Sequence, residues 1–286
     1  MTTFNTIMQA IIQGLTEFLP VSSSGHLSLY QHFTGNSGEG ALFFSAVLHL
    51  GTLVAVFIAF RKRIGALINE FFRLVKDIFT GKFSYKNMNP ERRMIVMIFF
   101  SCLCLLPFAP FLDWFEHFSE DGSILAEGVC FLYTAAILFM SDRCTKGSKT
   151  AGEIKAGDSV TVGFMQGVAM LPGVSRSGST ISAGLFCGFT RETAVEYSFI
   201  LGIPVILAGC LSQVKGALEE KAAIDWGSCG LGFVVAALVG ICAIKMVSWL
   251  VKTDKFKVFA YYTFILGCAV ITAAVIEKLT GHTISF

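Results

Sequence analysis

The sequence predicts an all-α integral membrane protein built as an inverted-topology repeat, with six transmembrane helices and two re-entrant helical hairpins, ten helical segments in all. Three observations predict it. The 286-residue chain is 54% hydrophobic and 15% charged, well below the roughly 25% charged content of soluble domains. Six apolar runs are long enough to cross a bilayer, which takes about 20 residues. Two polar segments, QGLTEFLPVSSSGH (13–26) and QGVAMLPGVSRSGST (166–180), nearly repeat each other 153 positions apart inside apolar sequence, as the halves of duplicated membrane proteins do.

In order along the chain, repeat 1 (1–152) opens with short apolar segments at about 4–19 and 26–34, joined by the first polar loop. Neither is long enough to span; a short helix, a tight turn and a second short helix make a hairpin that dips into the bilayer and returns. Spans follow at about 41–60, 93–112 and 123–141. Repeat 2 (153–286) has its hairpin at about 160–171 and 179–189, then spans at about 194–213, 228–250 and 257–276, and the two repeats make a single membrane domain. The loop 61–93 carries Arg61, Lys62, Arg63, Arg73, Lys76, Lys82, Lys86, Arg92 and Arg93, and 142–158 and 252–257 are also basic. These segments are expected in the cytoplasm. The loop with Asp113, Glu116, Glu120 and Asp121 is expected outside. Both termini then lie outside, and an odd number of spans per half makes the halves antiparallel. Hairpin one enters from the outside and hairpin two from the cytoplasm.

The net charge of +2 reflects this topology, and no nucleic-acid partner is expected. The nine cysteines show no C-x-x-C pair, and most lie in apolar runs, where a thiol acts as a small hydrophobe. No cleavable signal is expected in 1–20, which lacks a basic start and carries Glu17.

The polar loops carry the chemistry. Each second short helix is expected to begin just after Gly25 or Gly178, aiming free N–H groups and a positive dipole end at the membrane centre. Ser22, Ser23 and Ser24, with Ser175, Ser177, Ser179 and Thr180, add hydroxyl donors, and Gly25, Gly173 and Gly178 permit close approach. Such a site suits phosphate or diphosphate. Arg176 would grip phosphate oxygens with its planar fork; a structural pair with Glu17 or a carbonyl is the competing reading. Gln13 and Glu17 are four apart on one helix face, and their oxygens suit a hard cation such as Mg²⁺, with phosphate oxygens completing its shell. Helix capping or pairing to Arg is the alternative for Glu17. His26, three residues beyond Ser23, makes the minimum pair for general-base activation of a hydroxyl, against a hydrogen-bonded structural role. The second repeat has Ser179 in the matching place. His49, whose counterpart is Gly202, is balanced between lining the cavity and packing. Glu196, Arg191 and Glu192 read as interface charges, and 61–93 as a positive-inside loop with secondary contact to anionic lipid.

QGLTEFLPVSSSGH resembles the (Glu/Gln)-x-x-x-Glu plus Pro-Val-Ser-Ser-x-Gly-His element of the undecaprenyl-diphosphate phosphatases, and LPGVSRSGSTIS resembles their Pro-Gly-x-Ser-Arg-Ser-Gly-x-Thr element. The resemblance covers essentially the whole chain. It implies a phosphatase of the bacterial plasma (inner) membrane that removes the terminal phosphate from a long polyprenyl diphosphate, typically C55. The product is the monophosphate carrier reused in peptidoglycan and envelope polymer synthesis, and the family is associated with bacitracin resistance. It also implies a divalent cation, Mg²⁺ or Ca²⁺. Carried over by position, Glu17 and Gln13 serve the metal and its waters. Ser23 and His26 are nucleophile and base, or orient a water between them. Arg176, Ser175 and Thr180 hold the diphosphate, beside Ser22, Ser24, Gly25, Ser177 and Gly178. Gln13 stands where many relatives have Glu, which removes one possible carboxylate ligand. The tilt of hairpin one implies a site opening toward the outer leaflet, and a homodimer is compatible with the sequence. The competing class is an inverted-repeat transporter or polyprenyl-phosphate flippase, which moves lipid without releasing phosphate.

Overall fold

The computed structural model describes residues 2–35, 41–111, 114, 123–144, 146–220, 224–253 and 255–284. Among them all regular structure is helical, apart from one isolated bridge between Lys149 and Phe189. The α-helices are α1 (Thr3–Thr16), α2 (Ser23–Thr34), α3 (Ala41–Ala59), α4 (Arg61–Phe79), α5 (Pro90–Leu103), α6 (Leu125–Asp142), α7 (Ala156–Val168), α8 (Arg176–Phe186), α9 (Arg191–Glu220), α10 (Trp226–Lys252) and α11 (Lys257–Thr280). Six segments are long and apolar enough to cross a membrane: α3, α5 with its extension to Phe111, α6, α9, α10 and α11. The chain is therefore a multi-pass membrane protein.

The expected spans are found, with ends set by local chemistry. Asn89 caps α5, its side chain accepting from the Arg92 N–H at 2.7 Å, and Pro90 takes the first helical position. Beyond Leu103 the run tightens into a 3₁₀ turn (Leu106–Phe111), where Pro107 and Pro110 withdraw N–H donors. Helices α1, α3 and α10 cross closely because each brings a glycine: a Cβ at Gly14 would meet Ala236 O at 2.9 Å and one at Gly51 would meet Phe233 O at 2.6 Å, while Gly232 faces Phe44. The acidic residues expected on the outer face, Asp113, Glu116, Glu120 and Asp121, lie outside the described residues.

Two expectations are corrected. The first is the count of ten helical segments, because most of the expected loop 61–93 is helix α4. Its residues sort onto three faces. Leu67, Glu70 and Leu74 turn inward, while Ile68, Phe71, Phe72, Ile78 and Phe79 are exposed on the adjoining side. Lys62, Arg73 and Lys76 occupy the third face, also exposed. An apolar exposed face beside a basic one is the pattern of a helix lying in a membrane interface. Buried Glu70 is met by Arg92, which contacts its Oε1 at 2.7 Å and Asp77 at 2.8 Å, tying α4 to α5. Arg63 bridges Glu91 at 2.6 Å and Glu196 at 2.7 Å, so Glu196 locks α9 to α4 rather than facing the interface. Arg92→Ala leaves Glu70 with only peripheral Arg73, 3.7 Å away. It is expected to destabilise the protein by about 3 kcal/mol, read as a lower thermal unfolding midpoint in detergent.

The second correction concerns the helix starts. α2 and α8 begin at Ser23 and Arg176, two residues before the glycines. Ser22 and Ser175 are the capping residues, and their hydroxyls accept from the N–H groups of Gly25 (3.3 Å) and Gly178 (3.0 Å). Those two N–H groups are thus already bonded within their own turns.

Candidate functional site

The turn between α1 and α2 meets the turn between α7 and α8. The contacts are reciprocal: the Gly173 N–H donates to Ser24 Oγ at 3.2 Å, and Ser177 Oγ donates to Leu19 O at 3.0 Å. Gly173 sits at φ +90° with Cys130 Cβ and the Glu127 backbone against it, so a side chain there is excluded twice. Both loops border one cavity of about 200 Å³, walled also by His49 of α3 and by α9 from Val205 to Gln213.

Glu17, the C-cap of α1, is the centre of the site. Arg176 Nη2 donates to its Oε1 at 2.6 Å, an ion pair that joins the two loops with side chains only 15% and 6% exposed. Its Oε2 accepts from Ser23 Oγ at 2.8 Å and from Gln13 Nε2 at 3.0 Å. His49 Nε2 lies 3.8 Å from the same oxygen, while its Nδ1 donates to Ser45 O at 2.9 Å. His49 therefore lines the cavity, which resolves the balance left by the sequence. The pairing of Arg176 with Glu17 is also present, but inside the cavity wall, so pairing and ligand access are not exclusive.

Arg176 owes its position to residues outside both motifs. Its Nη1 donates to Ser198 O at 3.4 Å, and its guanidinium lies directly against Gly202. Gly202 is the repeat counterpart of His49, so one copy supplies an imidazole to the carboxylate and the other makes room for its arginine. Gln213 carries no signal in the sequence, and Ser198 and Gly202 carry none beyond their place opposite Ser45 and His49 of the first repeat.

Several expected site residues are placed differently. Ser22, Ser24, Ser175 and Ser177 border the cavity. Thr180 does not: its hydroxyl donates to Arg176 O at 2.9 Å and lies 2.6 Å from Ser198 Oγ, bracing the arginine from behind. Gly25 and Gly178 shape the turns without bordering the cavity. His26 does not meet Ser23. Its Nδ1 lies 2.6 Å from Ser22 O and its Nε2 2.7 Å from the Tyr262 hydroxyl of α11. Ser22 itself is the only non-glycine residue at positive φ among those described (φ +74°, ψ 107°). Such a backbone costs about 1–3 kcal/mol and persists only where its surroundings hold it.

The donor set does not match the expected divalent ion. Gln13 turns its N–H, not its oxygen, to Glu17, and its Oε1 is buried with no hydrogen-bond partner. Both Glu17 oxygens are taken by donors, and no group of three or more His, Cys, Asp or Glu among the described residues is placed to hold a metal. A carboxylate already neutralised by Arg176 and facing an amide donor does not fit a resident Mg²⁺ or Ca²⁺, which asks for several converging oxygens.

The family model described as bacitracin resistance protein BacA matches residues 6–269, and both loops fall within it. The chain belongs to the BacA family. Within the family's curated members it is 36% identical to an undecaprenyl-diphosphatase of Alkaliphilus metalliredigens over 277 residues, covering 95% of this chain and 98% of the relative. It is 39% identical to an undecaprenyl-diphosphatase of Desulfosudis oleivorans over 263 residues, 91% and 94% of the two chains. It is likewise 36% identical to undecaprenyl-diphosphatase 4 of Bacillus thuringiensis subsp. konkukian over 263 residues, 92% and 93% of the two chains.

Proposed function

We propose that this chain is an undecaprenyl-diphosphate phosphatase that returns the C55 monophosphate carrier to peptidoglycan and envelope polymer synthesis and confers bacitracin resistance. One observation carries the site assignment: a serine hydroxyl, Ser23, donates to a carboxylate that Arg176 of the opposite loop holds in the same cavity. A hydroxyl on a buried carboxylate beside a guanidinium is a nucleophile, a base and a phosphate anchor in contact.

In this reading the terminal phosphate of the lipid lies against Arg176 and the serine hydroxyls of the two loops. Glu17 Oε2 takes the Ser23 proton as Ser23 Oγ attacks the terminal phosphorus. The phosphorus–oxygen bond to the lipid monophosphate breaks, and the leaving lipid phosphate carries the departing electron pair. Water then attacks the phosphoserine phosphorus and passes its proton to a phosphate oxygen; the bond to Ser23 Oγ breaks, Glu17 returns its proton to that oxygen, and inorganic phosphate leaves. Arg176 neutralises charge on the transferred group throughout, which is where most of the acceleration of phosphoryl transfer arises. Since the residues do not fit a resident ion, a divalent cation such as Mg²⁺ or Ca²⁺ would be supplied with the substrate and would neutralise phosphate charge.

The two short helix pairs are proposed as re-entrant hairpins of an inverted repeat, 1–152 and 153–286. At 1.5 Å per residue, α1 and α7 reach only about 21 Å and about 20 Å, short of the roughly 30 Å hydrocarbon core. The packing pairs support the same relation, since α1 lies on α10 as α7 lies on α5, and α6 lies on its own counterpart α11. Arg143, Lys146, Lys149, Lys155, Lys252, Lys255 and Lys257, with the basic residues of α4, support a cytoplasmic location for one face. Both termini then lie outside the plasma membrane, and the cavity opens toward the outer leaflet.

The test is phosphate release from undecaprenyl diphosphate by purified protein in detergent. Release is expected to fall to background in EDTA and return with excess Mg²⁺ or Ca²⁺, while the protein without lipid binds Mn²⁺ no better than buffer. Lipid movement between vesicle leaflets with no phosphate release would favour the carrier instead.

A further inference from the structure

We propose that Tyr262 is a positioning residue for this site: through His26 it fixes the strained peptide that carries Ser23, so His26 acts as a strut and not as the base. The inference rests on the phosphatase reading above. A carbonyl oxygen only accepts hydrogen bonds, so the 2.6 Å contact to Ser22 O puts the proton of His26 on Nδ1. In the neutral ring Nε2 must then accept, and the group that meets it is the Tyr262 hydroxyl at 2.7 Å. Tyr262 thereby selects the tautomer that can hold Ser22 O. The two rings lie nearly parallel, 5.7 Å apart at 9°, and Phe131 meets the imidazole edge-on at 5.3 Å. With both ring nitrogens bonded, neither is left for Ser23.

What it holds is the one backbone position that needs holding. Ser22 is at φ +74°, whereas its repeat counterpart Ser175 is at φ −73°. The second copy has Ser179 where His26 stands, and there the capping residue has an ordinary φ, with its N–H held by Thr134 Oγ1 at 3.2 Å and no ring on its carbonyl. Strain and strut thus occur together, in the copy whose next residue is Ser23. With the Ser22 carbonyl pinned, the peptide leading into Ser23 has one orientation, and Ser23 Oγ reaches Glu17 at 2.8 Å. Tyr262 is 46% exposed on α11, and the His26 bond gives its hydroxyl a partner within the protein.

Tyr262→Phe removes only that hydroxyl. It is expected to lower kcat for phosphate release from undecaprenyl diphosphate about tenfold through misplacement of the nucleophile, with KM within twofold and an unchanged thermal midpoint. His26→Asn keeps an amide N–H where Nδ1 stands but offers nothing to Tyr262. It should be at least tenfold more active than His26→Ala, and adding Tyr262→Phe to it should change nothing. An unchanged kcat in Tyr262→Phe, or a His26→Asn variant as inactive as His26→Ala, would overturn the strut. Absence of phosphate release by the wild type would instead overturn the phosphatase reading, and the strut with it.

Discussion

Ser23→Ala is expected to lower kcat for phosphate release by about a thousandfold or more, Glu17→Gln by a similar factor, and the double variant by no more than the worse single. Residues that act as one nucleophile–base unit are strongly non-additive, because removing either ends the step they share. The unit here is the 2.8 Å bond from Ser23 Oγ to Glu17 Oε2. Glu17→Gln keeps a side chain of the same shape beside Arg176 but can neither take a proton nor supply the anion of the ion pair. Ser23→Ala leaves that pair intact and should keep the wild-type thermal midpoint. Additive losses would mean that the two residues serve different steps.

Gly202→Ala is expected to cost about a hundredfold or more in kcat/KM, although the residue touches no substrate. A Cβ at this position falls onto the Arg176 guanidinium, 2.9 Å from Cζ and closer still to Nη1. The arginine is held on its other edges by Glu17 and Ser198 O, so the side chain must leave its place between the loops. Displaced, it no longer faces the cavity, and Glu17 is left buried without its cation. The variant should therefore lose thermal stability as well as activity. Gly230→Ala serves as the control, since a Cβ there meets nothing within 4 Å and the residue does not border the cavity. Full activity in Gly202→Ala would show that Arg176 is not needed where it stands.

The features readable from the sequence are those with a local physical signature. Apolar run length marked the six spans, and the duplicated loops marked the residues that meet. The loops also predicted their own asymmetry, with Glu17 and His26 in one copy and Arg176 in the other. What was not readable depends on contacts across the chain. Tyr262 lies 236 residues from His26 and belongs to no motif. The spacing of Ser23 and His26 suggested a nucleophile and base, but three residues along a helix start also place the imidazole over the Ser22 carbonyl. Gln13 and Glu17 share a helix face as expected, yet a carboxylate already accepting hydrogen bonds draws the amide's donor and not its oxygen. Helix α4 was hidden by the charges of 61–93, since Arg63 and Arg92 read as topology signals while they pair with Glu196, Glu91, Glu70 and Asp77. Gly202 was visible only as the missing histidine of the second repeat.

The central claim is that loops from the two repeats form a single phosphatase site. It is tested most directly by the rate of inorganic phosphate release from undecaprenyl diphosphate, compared between purified wild type and Arg176→Ala at saturating lipid. The arginine comes from the second loop, while the nucleophile and base come from the first. Loss of about a thousandfold or more in kcat is expected, with the lipid monophosphate as the wild-type product. Equal rates in the two proteins, or no phosphate from the wild type, would contradict it.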